Sequence, residues 1–277
     1  MKSSLIKLLR RYIFRNRYMI NGKKIKSNHV NLEYYDAEMN LGDLLSPVIV
    51  NFMLARKGVS ADKKTKTAHF LALGSLLGRP FDATVWGTGM QSFNQVSSVY
   101  KWRKIRKYDI RCVRGPLSAN ALKTFGYQCP DIYGDPAVLM PMIYTPANVE
   151  KEYDVIYISH FINKSLPYPE SIKALDIQTD DYKLFIDELC KAKKVISSSL
   201  HGIILAEVYG IPAIFHVENR MNEILKYYDW YYSTGRYSVW MASTMEEALE
   251  MQPMPLPDIH MLQNNLLETF PYDLWEK

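Results

Sequence analysis

KVISSSLHGIILAEVYGIPAIF, residues 194–215, reads as strand, sharp turn, helix, turn, strand. Lys194 to Ser197 is a short apolar run with β-branched residues, as a buried strand requires. Ser197, Ser198 and Ser199 form a polar break of residue types that favour a helix N-cap. From His201 to Tyr209 the apolar residues fall at 203, 204, 205 and 208, a helical spacing. Gly210 and Pro212 end that helix, and Ala213 to Phe215 begins another strand. The unit sets His201 in the first turn of a helix, at the carboxyl end of a strand. Open α/β sheets bind ligands at that edge, and the unpaired N–H groups of a first turn favour an anion. An imidazole there is a candidate proton donor. The plainer reading of the same pattern is a histidine that bonds a backbone carbonyl.

Outward from this unit, strands alternate with helices. Strands are expected at His29–Tyr35, Ala68–Leu73, Ala83–Trp86, Asp109–Val113, Tyr153–Ser159 and Ala174–Gln178. LGDLLSPVIVNFMLARKG is expected to be a helix with Asp43 near its start and Gly58 at its end. LSANALKTFG is a second, with Pro116 at its first position and Gly126 as its C-cap. Asp135-Pro136 opens a short helix, and others are expected at Asp180–Ala192 and Asn222–Tyr228. Ser243-Thr-Met-Glu246 reads as a capping box. Such alternation predicts parallel sheets covered on both faces. Pro141, Pro146 and the charges of MPMIYTPANVEKE, residues 140–152, mark a linker. The expected fold is therefore α/β, with two Rossmann-like domains facing a cleft. Residues 1–146 form the first, with a basic N-terminal segment, and residues 147–277 the second.

Composition narrows the class. With 48% hydrophobic and 23% charged residues over 277 positions, the chain can bury a core without staples. Cys112, Cys129 and Cys190 are odd in number and lack C-x-x-C spacing, which argues against a disulfide framework or zinc site and for a reducing, cytoplasmic compartment. No apolar run approaches membrane-spanning length, and no stretch has the order of a signal peptide. Residues 1–32 hold nine Lys/Arg and no acid; the whole chain carries +5, so the remainder carries −4. MKSSLIKLLRRYIFRNRYMI interleaves those cations with Leu, Ile, Phe and Tyr. It reads either as a basic amphipathic helix on an anionic membrane surface or as a solvated arm, with residues 1–26 as the segment in question. No nucleic-acid-binding signature accompanies the charge, so no nucleic-acid partner is expected. There is no carboxylate/His cluster and no D-x-D, and Gly87-Thr-Gly89 is too short for a dinucleotide fingerprint. Neither a metal nor a cofactor is expected.

Six short pieces occur in order over residues 40–235: Asn40-Leu-Gly-Asp43, Gly74-Ser75, Trp86-Gly87-Thr-Gly89, Val113-Arg114-Gly115-Pro116, Gly134-Asp135-Pro136 and Ser199-Leu200-His201-Gly202. In these the chain resembles the polysaccharide pyruvyl transferases of bacterial capsule and exopolysaccharide synthesis. The resemblance implies a fold similar to two-domain glycosyltransferases of GT-B type. It also implies transfer of the pyruvyl group of phosphoenolpyruvate to a sugar as a ketal, with phosphate released. The implied partners are phosphoenolpyruvate and a sugar acceptor, which a lipid carrier would hold at the inner face of the membrane. Many members carry Arg two residues before the His, near the donor; here that position is Ser199.

Under this resemblance His201 is the candidate acid that protonates the methylene carbon, its ordinary pKa near 6.5 being suited to the task. Asp43 is the candidate base for the acceptor hydroxyl, or binds the acceptor, or else is a first-turn acid favoured by the helix dipole. Arg114 offers a planar fork for carboxylate or phosphate, or an interdomain salt bridge. Asp135 touches ligand or caps a helix. Asn40, Trp86, Ser199 and Gly202 complete the candidate substrate-binding set. The run Tyr227–Trp240 holds seven aromatics in fourteen residues, a sugar platform or plain core. Two other functions fit the same architecture: a glycosyltransferase using a nucleotide sugar, and a non-catalytic glycan-binding or assembly protein.

Overall fold

The computed structural model describes residues 16–147, 149–162, 168–218 and 221–276. It is a mixed α/β structure with two parallel sheets. The first contains β1 (Val30–Glu33), β2 (Ala68–Leu71), β3 (Ala83–Trp86) and β4 (Tyr108–Cys112), in the order β1-β2-β3-β4. The second contains β5 (Tyr153–Ile158), β6 (Lys173–Ala174), β7 (Ala192–Ser197), β8 (Ala213–His216) and β9 (Met241–Ala242), in the order β6-β5-β7-β8-β9. Parallel neighbours require crossovers; helices supply most of them, while residues 72–82 join β2 to β3 without one, and the helices are α1 (Leu41–Ala55), α2 (Phe93–Trp102), α3 (Pro116–Thr124), the single turn α4 (Met140–Ile143), α5 (Tyr182–Cys190), α6 (Leu200–Val208), α7 (Ile224–Ser233), α8 (Met245–Glu250) and α9 (His260–Thr269).

The strand–turn–helix–strand unit at 194–215 forms as expected, as β7, α6 and β8. Every residue of α6 is buried. A helix apolar all round belongs inside the protein rather than on its surface, and α6 lies against β7, β8 and α1. One core cluster includes Leu41, Phe70 and Trp86 from the first half together with Ile156, Ile203 and Phe215 from the second. Pro116 begins α3, and the Asp135 carboxylate accepts from Ala137 N to cap the 3-10 turn Pro136–Leu139.

Several elements depart from the sequence reading. The helix expected at Asn222–Tyr228 starts at Ile224 and runs to Ser233, because Tyr227, Trp230 and Tyr231 bury one face against the core. The box expected at Ser243–Glu246 forms one residue later. Thr244 Oγ1 accepts from Glu247 N (3.2 Å), and Glu247 Oε2 accepts from Ser243 N (2.7 Å). Of the strand expected at Ala174–Gln178, only Ala174 pairs, together with Lys173 before it. Helices α2 and α9 were unexpected. The first buries only Val99, and the second begins without a side-chain cap. The chain from α9 onward packs on the first sheet and on α1: Trp86 Nε1 of β3 donates to Leu266 O (3.1 Å), and Tyr272 OH donates to Met53 O of α1 (2.8 Å).

Residues 1–15 of the basic segment lie outside the described residues. Residues 16–26 fold back as a hairpin rather than a helix. Met19 N donates to Lys23 O (2.8 Å), Ile25 N to Arg17 O (3.1 Å), and Ile20 N to Glu33 Oε2 (2.7 Å). Among the described residues, no helix is long and apolar enough to cross a membrane.

Candidate active site

Loops at the carboxyl ends of strands from both sheets enclose a cavity of about 210 Å³. After β1 come Asn40 and Asp43; after β2, Ser75 and Arg79; after β5, His160; after β7, Ser199 and His201; Lys226 enters from α7. Four of the expected site residues, Asn40, Asp43, Ser199 and His201, thus meet although they are far apart in the chain.

His201 sits in the first turn of α6 with its side chain only 10% exposed. Its ring packs against the start of α1. A Cβ added at Gly42 would fall 1.9 Å from His201 Nδ1, so the glycine of Asn40-Leu-Gly-Asp43 exists to admit the imidazole. Behind the ring, Asp135 Oδ2 stands 4.0 Å from His201 Nε2, and neither atom has a hydrogen-bond partner. Burial, followed by the nearby charges of Arg114 and Lys226, lowers the His201 pKa to about 3. Burial raises Asp135 to about 6 against the opposing pull of Arg114. At neutral pH the imidazole is therefore uncharged in the free protein, beside a carboxylate that caps a turn and holds one oxygen toward the ring.

Asp43 is the second titratable group of the cavity. Its Oδ2 accepts from Asn40 Nδ2 (2.7 Å). Burial raises its pKa to about 6, and the Asn40 bond, Lys226 and Arg79 oppose that rise. A carboxylate poised near neutrality is the kind of group that takes a proton from a hydroxyl. Asn40 thus orients Asp43 rather than capping α1, whose N-cap lacks a side-chain bond. Ser199 occupies the N-cap of α6, also without a capping bond from its side chain.

Four expected site residues do not line the cavity: Asp135, which stands behind His201, and three others. Arg114 is fully buried behind Ser75. Its Nη1 donates to Ser75 Oγ (3.1 Å), its Nη2 donates to Met90 O, and Nη2 lies 3.2 Å from Asp229 Oδ2. Asp229 also accepts from Leu117 N and Ser118 N (both 3.0 Å), capping α3 from α7. Of the two readings of Arg114, the salt bridge between the halves is the one its contacts satisfy. Its charge still reaches His201 and Asp135 electrostatically. Trp86 is buried in an aromatic cluster with Phe70 and Phe270, at ring-centroid distances of 6.2 and 4.9 Å, because the returning C-terminal segment covers it. Gly202 is a packing residue: a Cβ there would fall 2.4 Å from Ser197 Oγ. The aromatic run is mostly structural. Tyr227 stacks on Phe215 (4.1 Å), Trp230 Nε1 donates to Glu207 Oε2 (2.8 Å), and no aromatic of 227–240 lines the cavity.

Sequence reading passed over Arg79, His160 and Lys226. Lys226 Nζ donates to Glu223 Oε2 (2.6 Å) and lies 3.4 Å from His160 Nε2. Arg79 has a faint local signal, a Gly-Arg-Pro turn after a strand that ends in Gly74-Ser75. Lys226 has none, because its place depends on how α7 docks.

Comparison with known proteins bears on the family and the fold. A family model described as "Polysaccharide pyruvyl transferase" matches residues 66–219. The chain is similar to uncharacterized protein L143 of Acanthamoeba polyphaga mimivirus, with 27% identity over 216 residues, covering 73% of each chain. It is similar in fold to the crystal structure of a functionally uncharacterized protein from Klebsiella pneumoniae, with a TM-score of 0.50 and 14% identity over 88% of this chain and 99% of the other.

Proposed function

Since the chain belongs to the polysaccharide pyruvyl transferase family, whose model matches residues 66–219, we propose that it moves the pyruvyl group of phosphoenolpyruvate onto two hydroxyls of a sugar as a ketal. The family gives a transferase of polysaccharide synthesis with a polysaccharide-type acceptor; the donor, the ketal and the residue roles are this proposal. The observation that carries it is the meeting of His201, backed by Asp135, with Asp43 in one cavity at the strand ends of both sheets. In this reading residues 1–146 and 147–277 are the two Rossmann-like halves of a GT-B-like arrangement.

The donor's phosphate and carboxylate together carry about three negative charges near neutrality, with a second phosphate pKa near 6. Their arrival beside His201 raises the imidazole pKa and makes it an acid. It then protonates the methylene carbon, leaving an oxocarbenium at C2. Asp43 takes the proton of the first sugar hydroxyl as its oxygen bonds to C2. The C–O bond to phosphate breaks, and a second hydroxyl closes the ketal with loss of its proton. The acceptor gains a pyruvate less one water, and phosphoenolpyruvate becomes inorganic phosphate. The protein needs no cofactor in this scheme. A cytoplasmic site, with residues 1–26 against the anionic inner face of a membrane, would suit a lipid-linked acceptor.

The test is incubation with phosphoenolpyruvate and a panel of lipid-linked sugars, followed by phosphate assay and acceptor mass. Phosphate release with the ketal mass increase is expected. Release of a nucleotide from a sugar donor instead would assign a glycosyltransferase, and glycan binding without either release would assign an assembly protein.

A further inference from the structure

The cavity is lined by a guanidinium, that of Arg79, which forms no ion pair among the described residues. Arg79 enters on the Gly78-Arg79-Pro80 turn between β2 and β3, and that turn is anchored by Tyr108 OH donating to Arg79 O (3.0 Å). Two other sheltered arginines each sit on a carboxylate, Arg114 on Asp229 (3.2 Å) and Arg236 on Glu207 (2.6 Å), and the buried Arg106 donates to Asn16 Oδ1 (3.3 Å). Arg79 has no ion-pair partner among the described residues, and its buried Nε has no hydrogen-bond partner. Burial pulls its pKa down, the sign of a cation withdrawn from water; Tyr108, Glu33 and Asp43 pull the other way. A desolvated, unpaired charge is costly, and proteins keep one where a ligand completes the pair.

Asp43, the acid that lines the same cavity, acts on Arg79 through its charge but forms no ion pair with it, and no other cavity group competes with Arg79 as the cation for an arriving anion. The Lys226 ammonium is engaged by Glu223, His201 is neutral, and Ser199 on the same wall carries no charge. We infer that Arg79 is the residue that receives an oxyanion of the donor, the phosphate or carboxylate of phosphoenolpyruvate, in the cavity that His201 also lines. This assignment rests on the proposed reaction for the identity of the donor and on the geometry alone for the oxyanion. A guanidinium fork matches either group with two parallel N–H donors.

Calorimetric titration with phosphoenolpyruvate and, separately, inorganic phosphate tests it on the full chain and on Arg79→Gln, Arg79→Lys and Arg56→Gln, the last at an exposed arginine away from the cavity. Arg79→Gln should weaken phosphoenolpyruvate binding by about ten- to a hundredfold, the usual effect of losing a hydrogen bond to a charged group. Arg79→Lys should recover part of that loss, and Arg56→Gln should match the parent. KM for phosphoenolpyruvate should rise while KM for the acceptor holds. The thermal midpoint of Arg79→Gln should stay level or rise, whereas a purely structural arginine would lower it. Unchanged affinity in Arg79→Gln, in a protein that binds and turns over phosphoenolpyruvate, overturns the inference and leaves the proposed reaction standing. If the parent neither binds nor consumes phosphoenolpyruvate, the reaction is wrong and inorganic phosphate decides Arg79. Binding lost in Arg79→Gln upholds the oxyanion site, and equal or absent binding in both proteins overturns it.

Discussion

Replacing Gly42 by alanine would test the site through a residue that performs no chemistry. Gly42 lies in the first turn of α1 and is buried. Alanine in a helix is ordinarily favoured over glycine by about 1 kcal/mol. Here the new Cβ would fall 1.9 Å from His201 Nδ1, 2.5 Å from Cγ and 2.8 Å from Cε1. The ring must move, because a methyl group cannot share that space. Overpacking of this kind costs about 1–3 kcal/mol, so the net loss of stability should be about 0–2 kcal/mol and the protein should remain folded. The imidazole would shift relative to the Asp135 carboxylate, now 4.0 Å from Nε2. A misplacement of about 1 Å can cost a hundredfold in rate. The assay pairs urea unfolding with phosphate release from phosphoenolpyruvate, and adds imidazole NMR shifts to follow the ring. Turnover within twofold of the parent, together with a gain in stability, would refute the placement of His201 against α1.

His201→Gln should abolish turnover and also change the pH dependence of stability. The folded imidazole has its pKa near 3, below the ordinary 6.5 of the unfolded chain. The unfolded state therefore binds the proton first, and the parent loses stability relative to the variant as pH falls from about 6.5 toward 3. A gap in urea midpoint that is constant between pH 7.5 and 4 would contradict this. Arg114→Met leaves Asp229 buried and unpaired, and should cost about 3–5 kcal/mol of stability. Arg114→Lys should also destabilise, since one ammonium cannot serve Ser75, Met90 and Asp229 together, while donor affinity in the folded fraction changes little. A stable Arg114→Lys with severely weakened donor binding would return Arg114 to the donor. Deleting residues 1–15 should reduce sedimentation with anionic vesicles at low salt, since each Lys or Arg near such a surface contributes about 1 kcal/mol. An intact chain that ignores those vesicles removes the membrane contact.

Local sequence signals are enough to specify the repeating unit of this fold and the place of its most reactive candidate. β-branched runs, N-cap residues, Pro116 and the spacing of 203, 204, 205 and 208 act over a few residues, so they are legible without tertiary context. They located β7, α6 and β8, put His201 in a first turn, and set Asp135 as a cap. The tertiary structure decided which of these groups meet. Asp135 reaches His201 because α6 is buried on every side, and Arg114 turns away from the cavity because Asp229, from the other half of the chain, arrives to pair with it and to cap α3. Trp86 left the candidate site because Leu266 O, 180 residues later, accepts its indole proton. Arg79 entered the cavity on a loop that its Gly-Arg-Pro turn signals only faintly, and Lys226 on a helix placement that no local pattern encodes. Periodicity is fixed by the geometry of adjacent peptide units. The partner of a buried charge is fixed only when distant segments close over it and exclude water.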